Sequence, residues 1–210
     1  MVLEEVLESV RNLKQSDVRS LVESRLKEFE QNGRRTSNEI FKELCFCILA
    51  ANFNAERSMK IQMQIGDGFL FFQRGMLARK LRALGHRFPN TRAKYIVQAR
   101  EYKDSLKEII RSHENEDELR EWLAENVMGI GYKESSHFLR NIGYNGLAIL
   151  DFHIIDIMVR CGLIDEPKTL TKRRYREIEG ILRKVAERSS LELGELDLYL
   201  WYMETGRVLK

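Results

Sequence analysis

Only two prolines, Pro89 and Pro167, interrupt this chain of 210 residues. A proline inside a helix removes a hydrogen bond and clashes with the preceding turn, so a chain this poor in proline leaves long stretches free to coil. Between its glycines, apolar residues recur at spacings of three and four, as a helix that buries one face requires. The pattern predicts an all-α protein, a two-lobed bundle of about ten short helices. Ser16 caps a segment carrying Leu21, Val22, Leu26 and Phe29, which ends near Asn32 and Gly33, where glycine can turn left-handed. Ser37 opens the next, with Ile40, Leu44, Ile48 and Leu49 facing inward. Further helices are predicted over 55–65, 75–84, 91–102, 105–112, 116–125, 132–141, 152–161, 172–188 and 193–203.

Composition narrows the class. Thirty-five Lys and Arg against 32 Asp and Glu leave 35 − 32 = +3, and 43% apolar with 32% charged residues is an ordinary globular mixture. This excludes disordered, collagen-like and coiled-coil chains. No apolar run approaches the roughly 18 to 20 residues of a membrane helix. The start is acidic and amphipathic, unlike a signal peptide, which makes a cytoplasmic protein the expectation. Cys45, Cys47 and Cys161 are odd in number and lack zinc-ligand spacing, and His86, His113, His137 and His153 show no paired metal spacing. No metal and no cofactor are expected. The net charge is too small to announce nucleic acid by itself.

The most informative stretch runs Val127-Met-Gly-Ile-Gly-Tyr-Lys-Glu-Ser-Ser-His-Phe-Leu-Arg-Asn-Ile-Gly143, with Asp151 eight residues on. Gly129 and Gly131 bracket one apolar residue, so the backbone can turn sharply and leave amides at the next helix start pointing outward, a phosphate-binding device. Ile130 is expected to plug the gap between the flanking helices. Lys133 falls in the first turn of the second helix as a lone amine. The macrodipole there disfavours an ammonium, and a neutral amine is a nucleophile. Asp151 stands at a helix start, where helix amides favour a charged carboxylate able to stabilise a cation. Each feature has a plainer reading: glycine pairs join helices in many proteins, most lysines are solvated, and Asp is a preferred N-cap.

The pattern Gly-Ile-Gly-x-Lys followed by Leu-Asp resembles the signature of helix-hairpin-helix DNA glycosylases that also cleave abasic sites. Two more segments agree with it. Phe41-Lys-Glu-Leu-Cys-Phe-Cys-Ile-Leu-Ala-Ala-Asn-Phe-Asn54 is similar to the family's apolar helix with a polar residue near the lesion. Gly85-His-Arg-Phe-Pro-Asn-Thr-Arg-Ala93 resembles its DNA-wedging loop. Iron-sulfur members carry four cysteines after the catalytic aspartate, and this chain has only Cys161 there. Its compact length and the ending Glu204-Thr-Gly-Arg-Val-Leu-Lys210 look like the short, archaeal-type 8-oxoguanine DNA glycosylase/AP lyases.

The resemblance implies a base-excision enzyme acting on damaged double-stranded DNA, as a monomer without an obligatory protein partner. A base inside a duplex must be flipped out before its glycosidic bond can be reached. Lys133 would attack C1′ of the deoxyribose, displace the base and form a Schiff base from which β-elimination nicks the strand. Asp151 would stabilise the charge developing on the sugar. Phe88 is the expected wedge in the gap, and Asn52 the expected contact to the orphaned base, with packing and a helix cap as their respective alternatives. Phe53, Trp201 and Lys210 are candidates for the lesion-base pocket. DNA grip would come from the amides of Gly129 and Gly131 with Arg87, Arg92, Lys94 and Arg140. The expected lobes are 36–147, containing the hairpin, and 1–35 with 148–210, with DNA bound in a cleft. A related enzyme for another oxidised base and a non-catalytic DNA-binding module are the competing readings.

Overall fold

The computed structural model describes residues 3–210, which form thirteen α-helices and one short 3-10 turn, with no strand among them. The helices are α1 (Leu3–Lys14), α2 (Val18–Arg34), α3 (Ser37–Ala50), α4 (Ala55–Ile65), α5 (Gly68–Phe71), α6 (Arg74–Ala83), α7 (Pro89–Ala99), α8 (Leu106–Ser112), α9 (Glu116–Asn126), α10 (Tyr132–Asn141), α11 (Phe152–Arg160), α12 (Lys172–Arg188) and α13 (Leu193–Thr205). None is long and apolar enough to cross a membrane. The expected all-α class holds, and most boundaries fall within a residue or two of the sequence reading. Thr36, not Ser37, caps α3, its Oγ1 accepting the Glu39 amide at 3.4 Å. The four-residue α5 escaped the periodicity because one turn is too short to show it.

The chain divides into two compact units, 30–142 and 1–29 with 143–210. The sequence reading drew these divisions at 36 and 147, and the packing of the last turn of α2 explains the first difference. Asn32 Nδ2 donates to the carbonyl of Asn141 at 3.2 Å, and a Cβ on Gly33 would lie 2.2 Å from the carbonyl oxygen of Ile142. That turn therefore packs with the middle of the chain. Gly33 also departs from its expected role. It lies inside the helix and is absent from the left-handed residues, so it serves close backbone approach, not a turn.

In the 30–142 unit, α3 is the hub, packed against α4, α5, α7, α8 and α10. Its run Phe41, Leu44, Cys45, Phe46, Cys47, Ile48 and Leu49 is buried all round, which only a helix surrounded by others can satisfy. In the other unit, α1, α11 and α12 pack on α13. Val6 and Val10 of α1, Ile178 and Leu182 of α12, and Leu196 and Leu200 of α13 are among its buried apolar residues.

Candidate functional site

Asn115 starts α9, its Oδ1 accepting the amide of Glu118 at 2.9 Å, and the helix closes at Val127. The chain then turns through 128–131 into α10. Gly129 has φ +95°, and a Cβ there would lie 2.2 Å from the Tyr95 ring, so the position needs glycine for both conformation and space. Gly131 has extended backbone, and its contribution is to carry no side chain where α10 begins. Glu134 reaches back to the Gly131 amide at 3.3 Å, half of a capping box. With no side-chain cap, the first turn of α10 presents amides and a positive dipole end to an anion.

The two hairpin helices are locked by residues the sequence reading passed over. Arg120 of α9 is fully buried, donating to Ser136 Oγ at 3.4 Å and Asp117 Oδ1 at 2.5 Å, with its guanidinium 4.8 Å from the Tyr132 ring centre. The Tyr132 hydroxyl in turn donates to Glu121 of α9, and Ile130 is buried as expected. Lys133 is not a lone amine: Nζ lies 2.9 Å from Glu134 Oε1, with the lysine side chain 31% exposed. Glu134 thus ties both the hairpin backbone and the amine. Its position three residues after Gly131 is the sequence signal that would have disclosed it.

The loop before α7 is held just as closely. Gly85 has φ +78° and donates to the Arg82 carbonyl at 3.0 Å, while the His86 amide donates to Leu81 at 2.9 Å, a glycine-terminated end for α6. Phe88 is half-buried, with the guanidinium carbons of Arg87 and Arg92 at 4.9 and 5.8 Å from its ring centre. Arg87 and Lys94 are exposed. Arg92 is buried, donates to the Ala51 carbonyl and lies over Tyr95, and burial lowers its pKa from the ordinary value. In this structure its guanidinium braces the loop from inside. Arg140 is likewise buried, with Nε and Nη2 at 3.4 and 3.2 Å from Asn141 Oδ1. Asn52 is exposed with φ +54° just beyond the C-cap of α3, a conformation asparagine tolerates, so it ends the helix. Phe53 is half-buried and lies on His86, ring centres 4.3 Å apart.

In the 1–29 and 143–210 unit, α12 aligns the approach to Asp151. Tyr175, Glu179 and Arg183 recur every fourth residue and so share one face of the helix. Glu179 accepts the Ala148 amide at 2.8 Å, the Tyr175 hydroxyl donates to the Ala148 carbonyl at 2.7 Å and accepts the Leu150 amide at 3.1 Å, and Arg183 donates to the Gly146 carbonyl at 2.8 Å. Asp151 follows as the N-cap of α11, Oδ1 accepting the Ile154 amide at 2.9 Å, and it is half-buried. Next to it Phe152 is 74% exposed and stacks on His153, which meets the Trp201 ring edge-on at 4.8 Å. Trp201 is half-buried, and its Nε1 is buried with no hydrogen-bond partner. Lys210 ends the segment after Gly206, where Arg25 of α2 donates to the Val208 carbonyl at 3.5 Å.

The structure thus gathers Phe53, Arg87, Phe88 and Arg92 around His86, and links Arg92 through Tyr95 to Gly129. Trp201 meets His153, two residues along from the Asp151 cap of α11. A family model described as 8-oxoguanine DNA glycosylase matches residues 22–191. The 8-oxoguanine DNA glycosylase/AP lyase of Methanocaldococcus jannaschii is 51% identical over 206 residues, spanning 98% of this chain and 99% of its own. That of Korarchaeum cryptofilum is 49% identical over 211 residues, spanning 100% of both. The M. jannaschii 8-oxoguanine glycosylase/lyase, crystallised with a 15mer DNA containing 8-oxoguanine, matches with a TM-score of 0.96 at 50% identity, over 98% of this chain and 100% of that one. An endonuclease III–DNA complex, at 15% identity and a TM-score of 0.56 over 88% of this chain and 83% of its own, shares the fold alone. With a family model spanning most of its length and relatives at half identity end to end, this chain belongs to the helix-hairpin-helix family of 8-oxoguanine DNA glycosylases.

Proposed function

We propose that this protein excises 8-oxoguanine from duplex DNA and then nicks the abasic strand, with Lys133 as nucleophile. The observation that carries the reading is the amine of Lys133 at the first turn of α10, directly after the uncapped hairpin, in a member of this family. The amides of the turn bind a phosphate, which brings the adjoining deoxyribose to the lysine. The pair with Glu134 must open and the ammonium must lose a proton before attack. The lysine nitrogen then bonds to C1′ as the glycosidic bond breaks, and the base leaves carrying the bonding electrons and gaining a proton. The resulting N,O-acetal opens to a Schiff base as the ring oxygen O4′ takes a proton, a C2′ proton is lost, and the C3′–O bond breaks to release the downstream strand with a 5′ phosphate. Asp151 lowers the barrier by opposing the positive charge on the sugar.

The same reading gives Phe88 the gap left by the flipped nucleotide, with Arg87 and Lys94 on phosphates and Asn52 at the orphaned base. Phe53 and Trp201 supply stacking faces for the lesion, and Lys210 contacts its polar edge. Oxidised guanine differs from guanine by a C8 carbonyl and an N7 proton, so discrimination depends on hydrogen bonds to that edge. Borohydride reduces and traps a Schiff base. Incubation with duplex DNA carrying one 8-oxoguanine is expected to give a covalent adduct that Lys133→Gln abolishes and undamaged DNA does not form. An adduct persisting in Lys133→Gln would remove this lysine from the mechanism.

A further inference from the structure

His86 stands where the loop carrying Phe88 meets the end of α3, and each part of its ring is engaged. Nδ1 lies 3.0 Å from the amide nitrogen of Phe88, Nε2 lies 3.0 Å from the carbonyl oxygen of Leu49, and Phe53 covers the ring face. An amide can only donate and a carbonyl can only accept. Nδ1 must therefore be bare and Nε2 must carry the hydrogen, so the neutral Nε2–H tautomer is the one form that makes both bonds. The ring is 4% exposed, so either bond, once lost, has no water to replace it.

From these contacts we infer that His86 is a positioning residue for base extrusion: it sets the backbone of Phe88 against the α3 turn that carries Asn52 and Phe53. The inference rests on Phe88 acting as the wedge. A wedge driven between base steps must resist the stacking it displaces, and its own helix offers little support. No side chain caps α7 at Phe88, and Pro89 has no amide to donate. The histidine supplies the missing anchor and transmits the load to Leu49, in the most deeply buried helix of its unit. Arg92 of α7 is the charged group facing the imidazole; α3 presents the Leu49 carbonyl and the following turn the Phe53 ring. Burial and then Arg92 both lower the imidazole pKa against the opposing pull of the Leu49 carbonyl, keeping Nδ1 available to Phe88 near neutrality. Protonation of Nδ1 removes that acceptor and frees the loop.

The test separates the two ring nitrogens. His86→Asn returns an acceptor near Nδ1 and gives up the Leu49 bond, whereas His86→Gln reaches toward Leu49 and leaves the Phe88 amide without an acceptor. Single-turnover excision from a duplex, with 2-aminopurine beside the lesion to report unstacking, is compared with borohydride trapping on a single-stranded abasic oligonucleotide, which needs no wedge. His86→Gln is expected to lose about tenfold in duplex excision and most of the fluorescence rise, with trapping unchanged. His86→Asn, which keeps the Phe88 bond and loses the Leu49 anchor, is expected to lose about threefold in duplex excision, clearly less than His86→Gln, with trapping unchanged. The fluorescence rise of the parent should shrink in acid, below the ordinary imidazole range because burial lowers the His86 pKa, and that of His86→Asn should not. Equal behaviour of the two variants, or a loss shared by the single-stranded trap, overturns the role of His86. A Phe88→Ala protein that unstacks and excises like the parent overturns the wedge reading itself, and the His86 inference with it.

Discussion

At Gly129 the demands of fold and chemistry meet in a single missing methyl group. Its φ of +95° and the Tyr95 ring, 2.2 Å from the place a Cβ would take, both exclude a side chain. Gly129→Ala should cost about 2 kcal/mol or more in urea unfolding, since the left-handed conformation and overpacking each contribute on that scale. Its DNA affinity should fall as the turn opens. Under the proposed mechanism Asp151 carries two separable duties. Asp151→Asn keeps an oxygen for the Ile154 amide, so stability should change by less than about 0.5 kcal/mol while excision slows by about a hundredfold or more. Asp151→Ala should show the same slowing and lose about 1 kcal/mol besides. Denaturant melts beside single-turnover rates distinguish the cap from the charge.

Among the helices, α12 shows how an element far along the chain serves the site. Tyr175 sits one turn before Glu179 and two before Arg183, and together they fasten the extended backbone that delivers Asp151. Tyr175→Phe keeps the ring packing but strips the acceptor from the Leu150 amide and the donor from the Ala148 carbonyl, both buried. A loss of about 1 to 3 kcal/mol is expected. If Asp151 is aligned through this ladder, excision should slow as well, and a variant as active and stable as the parent would sink that account. The helix itself was legible in the sequence, because Lys172–Arg188 alternates apolar and charged faces over its whole length. That its polar residues point at backbone was not, because Glu179 and Arg183 read equally well as a solvated ion-pair face.

For the molecule as a whole, DNA binding should weaken with salt through its phosphate contacts. Arg87→Ala and Lys94→Ala, both at exposed positions, should each reduce the slope of log affinity against log salt by about 0.9. Arg140→Ala should leave that slope unchanged and lower stability instead, because its guanidinium is buried against Asn141. The order of residues alone was enough to specify the helical class, nearly all the helices, the glycine hairpin, and the helix starts at which Lys133 and Asp151 stand. Those follow from local rules: periodicity, capping residues, glycine conformation and motif spacing act within a few residues of one another. Packing in three dimensions was needed to establish that Gly33 allows two backbones to touch, that Arg92 and Arg140 are buried against Ala51 and Asn141, and that Glu134 holds the amine. It was needed equally to join His86 of the loop before α7 to α3. Side chains such as arginine and histidine are compatible with both solvent and core, and which of the two they meet is set by residues tens of positions away, through packing that no local pattern records.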